Sequence, residues 1–182
     1  MRLTVVACRS MGLTSVGRAG GQMGANLFRI VLVAVCLALL LTAPARARAE
    51  DAGAAAIAAG ESFFKRYVEL GQNFDAAIAD LYSDDAVIRN TRRYPTGQVR
   101  ELTLTGAEYK RLVASAMPLA KARGDVSRFS SVTYEVVSPS RVRISAARFS
   151  VLKNYTSPIA IVIEKQPDGA WLVVEELSES RP

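Results

Sequence analysis

Residues 66–90 read RYVELGQNFDAAIADLYSDDAVIRN, and the change of period inside this stretch decides the fold. Just before and within it, Phe63, Phe64, Tyr67 and Val68 recur at the spacing of an amphipathic helix, which Gly71 is placed to end. Asn73 is placed to cap a second short helix with the apolar stripe Phe74, Ile78, Leu81 and Tyr82. Ser83-Asp84-Asp85 reads as a turn, because Asp side chains bond nearby backbone N–H groups. Beyond it the pattern turns strand-like: Ala86–Arg92 and Gln98–Leu104 read as a hairpin across a Pro95-Thr96-Gly97 turn.

On the C-terminal side, Thr105-Gly106-Ala107-Glu108 is a capping box that opens a helix through Tyr109, Leu112, Val113, Ala116 and Met117. Pro118 lacks an N–H and is expected to kink or end that helix. After Gly124 the composition shifts to Val, Ile, Ser, Thr and aromatic residues, and four strands fit, roughly 128–137, 141–152, 159–165 and 170–178. The predicted fold class is α+β: three N-terminal helices packed on a strongly curved, mostly antiparallel sheet, with a conical pocket between them.

The N-terminal side is different in kind. The chain has 182 residues, 23 Lys plus Arg against 17 Asp plus Glu, two Cys and no His. Six of the arginines and both cysteines, Cys8 and Cys36, precede residue 50, where no acidic residue occurs. Residues 50–182 therefore hold 17 basic and 17 acidic groups, which argues against nucleic acid as a partner. Without His there is no imidazole base, His-containing triad or His-x-x-x-His metal helix.

Ile30–Leu41 is an unbroken apolar run after Arg29 and before TAPARARAE, the pattern of a secretory signal peptide. It is shorter than the ~20 residues of a membrane-spanning helix, so no stable span is expected after cleavage. The signal is expected to cover residues 1–49 with cleavage after Ala49, and Met23 is an alternative start. Cys36 lies mid-run, where a lipobox does not fit. The expected destination is the periplasm or the medium of a bacterium. A flexible lead-in at 50–60, able to become the first turns of a helix, then precedes one domain at 61–180.

RYVELGQNFDAAIADLYSDDAVIRN, together with PDGAWLVVEELS at 167–178 and the element order between them, resembles the nuclear transport factor 2-like superfamily, which includes ketosteroid isomerases and SnoaL-like cyclases. That resemblance implies a cystatin-like fold, a homodimer and a pocket. It places Tyr67 where the isomerases have an enolate-binding Tyr, Asn90 where they have the general-base Asp, and Ile161 near their protonated Asp. Asn90 cannot accept a proton at neutral pH, so ketosteroid-type proton abstraction is not expected.

The expected function is an exported binding domain for a small apolar, amphipathic or lipid-like ligand, with no cofactor, metal or covalent step. Its expected ligand-binding residues are Phe64, Tyr67, Ile88, Asn90, Tyr109, Val113, Met117 and Ile161. The alternatives are a cofactor-free isomerase, cyclase or hydratase and a cell-envelope assembly module. For the enzyme, Tyr67 and Glu175 are the catalytic candidates. Glu175 and Glu176 point to opposite faces of the last strand, and whichever points inward is the candidate acid or base, as is Glu101.

Other features have simpler readings. Asp84 and Asp85 suit a turn better than a metal. Ser62-Phe63-Phe64-Lys65 lacks the companion motifs of penicillin-recognising enzymes. Arg89, Arg92, Arg93 and Arg100 suit a solvated hairpin or a dimer rim.

Overall fold

The computed structural model describes residues 50–181; the expected signal peptide and its expected cleavage after Ala49, the alternative start at Met23, and Cys36 lie outside the described residues. Helix α1 occupies residues 50–72 and buries Ala56, Gly60, Phe63, Phe64 and Tyr67. Those intervals of three and four place one apolar stripe toward the sheet. Residues 50–60 are thus helical, and at Gly60 a Cβ would lie 3.1 Å from Val142 Cγ1, so α1 packs closely there.

The chain leaves α1 through Phe74, whose φ is +55°, and enters a 3-10 helix at Ala76–Leu81. Its N-cap is Asp75, which accepts from Ala77 N at 2.9 Å, rather than the expected Asn73. The left-handed residue delays the new helix by two positions, and Tyr82 then opens a strand instead of closing a helix. In place of three α-helices, the described chain has two with this short 3-10 segment between them.

Six strands follow: β1 (Tyr82–Arg93), β2 (Val99–Thr105), β3 (Ser127–Ser138), β4 (Arg141–Ser150), β5 (Tyr155–Lys165) and β6 (Trp171–Ser180), with α2 (Gly106–Arg123) between β2 and β3. They form one open sheet in the order β2-β1-β6-β5-β4-β3. Neighbours run antiparallel except β1 and β6, which are parallel. The sheet is therefore mixed.

Ser83-Asp84-Asp85, expected as a turn, lies within β1, where the pairing with β6 shifts between Tyr82 and Val87. Lys110 Nζ on α2 donates to Asp84 Oδ1 at 2.7 Å, which ties the helix to this irregular stretch. The capping box forms as its residues predict: Glu108 Oε2 accepts from Thr105 N at 2.8 Å and Thr105 Oγ1 from Glu108 N at 3.3 Å. Pro118 does not end α2, which continues to Arg123 and is closed by Gly124 at φ +61°.

The core lies between the helices and one face of the sheet. Tyr82, Ile88, Val142, Ile144, Ile161, Ile163 and Val173 are all but inaccessible. Ile144 pairs with Ile161, Ile161 with Glu176, and Glu176 with Ile88, so one row across four strands reads Ile, Ile, Glu, Ile. A carboxyl in that row is the exception to be explained.

Candidate functional site

Glu176 is 2% exposed, whereas its neighbour Glu175 bonds Arg89 Nη1 at 3.2 Å on the opposite face. The inward carboxyl is thus Glu176, not the Glu175 singled out from the sequence. A bulge is the reason. From Ile163 to Ile161 β5 advances two residues, while β6 advances three between their partners Val173 and Glu176. The extra residue reverses the alternation, so that Val173 and Glu176 both enter the core.

Tyr82 OH donates to Glu176 Oε2 at 2.5 Å. The Tyr67 and Tyr109 hydroxyls interact with that of Tyr82, and the Tyr82 and Tyr109 rings lie 4.8 Å apart. Three tyrosines from α1, β1 and α2 therefore gather at one buried carboxyl. Burial raises the Glu176 pKa above the ordinary carboxyl value, opposed by hydrogen bonds from Tyr82 and Ser178 and by the charge of Arg148. Burial also raises all three tyrosines, reinforced by Glu176, so each is a neutral hydrogen-bond donor at pH 7.

Two cavities flank this cluster. The first, about 150 Å³, is lined by Tyr67, Tyr82 and Tyr109, by Val68, Val113, Met117 and Phe129, and by Asp125, Ser127 and Arg148, among others. The second, about 160 Å³, is lined by Ile88, Asn90, Leu102, Leu104, Glu176 and Ser178, among others. Tyr109 and Arg148 belong to both.

The structure brings together Tyr67, Tyr109, Val113 and Met117 in the first cavity, and Ile88, Asn90 and Tyr109 in the second. Phe64 and Ile161 line neither. Phe64 stacks on Tyr67 at 5.9 Å and meets Phe129 edge-on at 5.4 Å, and Ile161 fills the core beside Glu176. Asn90 is held on both sides, donating to Ser178 Oγ at 3.0 Å and accepting from Ser180 Oγ at 2.7 Å. Glu101 is exposed on β2.

Sequence reasoning missed Tyr82, Phe129 and Arg148. Tyr82 was assigned to a helix stripe, and Phe129 and Arg148 enter through the pairing of β3 with β4, which local pattern does not encode.

No family model and no curated protein matches the sequence. Among solved structures, an NTF-2 like protein of unknown function from Shewanella oneidensis aligns at 14% identity, covering 68% of this chain and 98% of that one, with a TM-score of 0.53. This is the nuclear transport factor 2-like fold. A cystatin-like domain of unknown function from Nostoc punctiforme aligns at 14% identity over 70% of this chain and 76% of its own, with a TM-score of 0.50. At these identities the likeness is one of nuclear transport factor 2-like architecture, and function has to be argued from the cavities.

Proposed function

We propose that this nuclear transport factor 2-like domain binds a small, mainly apolar organic molecule that carries an oxygen function. The observation that supports the reading is that three tyrosines, Tyr67, Tyr82 and Tyr109, line one cavity of about 150 Å³ together with Val68, Val113 and Met117. A void of roughly this size with apolar walls takes up benzene in another protein. Tyrosines held neutral by burial add donors that favour a carbonyl, hydroxyl or carboxylate oxygen over a plain hydrocarbon. The proposal includes export behind a cleaved leader and self-association through the outer sheet face.

Native mass spectrometry of the protein purified from its exporting host tests this reading. A reproducible small-molecule adduct is expected, and Met117→Trp, which fills the cavity, is expected to abolish it. Absence of an adduct, combined with no binding of small aromatic alcohols and acids to the purified domain, overturns it.

Glu176 favours a second reading, acid–base catalysis. Its carboxyl lines the neighbouring cavity with Tyr109 and Arg148, and burial raises its pKa above the ordinary carboxyl value. On this reading Glu176→Gln eliminates turnover of a bound substrate while leaving its affinity within a few-fold. Unchanged turnover overturns it.

A further inference from the structure

A third cavity, about 220 Å³, is lined by Asp125, Ser127, Arg148, Ser150, Lys153, Tyr155 and Ser180. Asp125, Ser127 and Arg148 also wall the tyrosine-lined cavity, so the two voids adjoin. The third is the more polar of the two: two cations and four hydroxyl-bearing residues line it with one carboxylate.

Arg148 stands at the junction of all three voids. It is half-buried and donates from Nη2 to the Glu179 carbonyl at 2.9 Å. Among the described residues it makes no ion pair with a carboxylate within 4.0 Å. A guanidinium has five N–H donors, so most of its capacity is left for another group. Ser157, its partner across β4 and β5, carries a buried hydroxyl without a hydrogen-bond partner among the described residues. A half-buried cation at the edge of a cavity suits a bound anion, which replaces the interactions with water that burial removes.

We infer that the ligand is an amphipathic anion, whose apolar part occupies the Tyr67–Met117 cavity and whose carboxylate or similar oxyanion rests on Arg148 and Lys153. This inference rests on the binding function proposed above and adds its charge class. Asp125 opposes an anion on that wall and Glu176 also interacts with Arg148; the two cations outweigh Asp125, and burial disfavours the charged form of Glu176.

Isothermal titration of the full mature domain with hydrocinnamate and with the matching hydrocinnamyl alcohol tests it. The acid is expected to bind about tenfold or more tightly at neutral pH, the scale of a charge-assisted hydrogen bond. Arg148→Met is expected to bring acid and alcohol to parity. Lys153→Met alters an exposed side chain that does not support the core, and is expected to narrow the gap between acid and alcohol. Added sodium chloride is expected to weaken binding of the acid alone.

An alcohol that binds as tightly as the acid, or acid binding indifferent to both substitutions and to salt, overturns the anion inference and leaves the cavity reading standing. Failure of both compounds to bind at millimolar concentration overturns the anion inference, and together with the absence of a native adduct it overturns the cavity reading as well. If Arg148→Met does not fold, Lys153→Met and the salt dependence decide.

Discussion

Tyr82 and Glu176, 94 positions apart, meet through a 2.5 Å hydrogen bond at the point where β1 and β6 run side by side. The bond sets a tyrosine and a carboxyl at the junction of two cavities and stabilises a polar group that apolar packing alone would exclude. Tyr82→Phe keeps the ring and removes the donor. Leaving a buried polar group with one partner fewer costs about 1–3 kcal/mol, measurable by urea unfolding. Because the Tyr82 bond lowers the Glu176 pKa, the same variant is expected to raise it further, as a carbon-detected NMR titration of that carboxyl would show.

The pH dependence of stability has a definite sign. Burial raises Glu176 above its ordinary value of 4.5, so the folded protein holds this proton more tightly than the unfolded chain. The stability linked to this proton is complete below that value and is lost as pH rises through the folded-state pKa. Glu176→Gln keeps an acceptor for Tyr82 and removes the titration. The melting temperature of the wild type minus that of Glu176→Gln is therefore expected to fall as pH rises above 4.5. A constant difference contradicts this account.

Two glycines make opposite predictions. At Gly106, the first residue of α2, a Cβ would sit 1.8 Å from the Ser83 carbonyl oxygen, a backbone atom that cannot step aside. Gly106→Ala is expected to cost about 3 kcal/mol or more in thermal or chemical unfolding. At Gly60 the nearest atoms are side-chain carbons of Val142 and Tyr134 at 3.1 and 3.3 Å. There the gain in helix propensity, about 1 kcal/mol, offsets mild crowding, and Gly60→Ala is expected to stay within about 1 kcal/mol of wild type.

Asn90 bridges strands through both ends of its amide, with Ser178 and Ser180 as partners. Asn90→Ala removes two part-buried bonds between β1 and β6 and is expected to cost about 1–2 kcal/mol. Amide exchange on β6 is expected to quicken from Ser178 onward while the β4–β5 pairing keeps its protection. Equal loosening of both pairs contradicts a local clamp.

Much of the fold was legible in the sequence because its signals are local. The stripe at Phe63, Phe64 and Tyr67 announces α1, the Thr105–Glu108 capping box announces the start of α2, and six strand-like runs lie close to the observed strands. Errors came where tertiary contacts override local chemistry. Ser83–Asp85 looks like a turn and is kept in β1 by the pairing of Tyr82 and Val87 on either side of it and by the Lys110 bond to Asp84, and Pro118 lies within a helix that continues to a Gly124 cap.

The sequence by itself determined that the described domain contains no imidazole and no thiol, since both cysteines precede residue 50. It also determined that residues 50–182 balance in charge and that helices precede a strand-rich half. Only the tertiary structure decided that Glu176, rather than Glu175, faces the core, that Tyr82 joins Tyr67 and Tyr109 around it, and that Arg148 lies at the meeting of three cavities. The physical reason is register. Side-chain direction in a strand alternates with each residue, one bulge between Val173 and Glu176 reverses it, and that bulge is fixed by pairing with β5 rather than by neighbours in the chain.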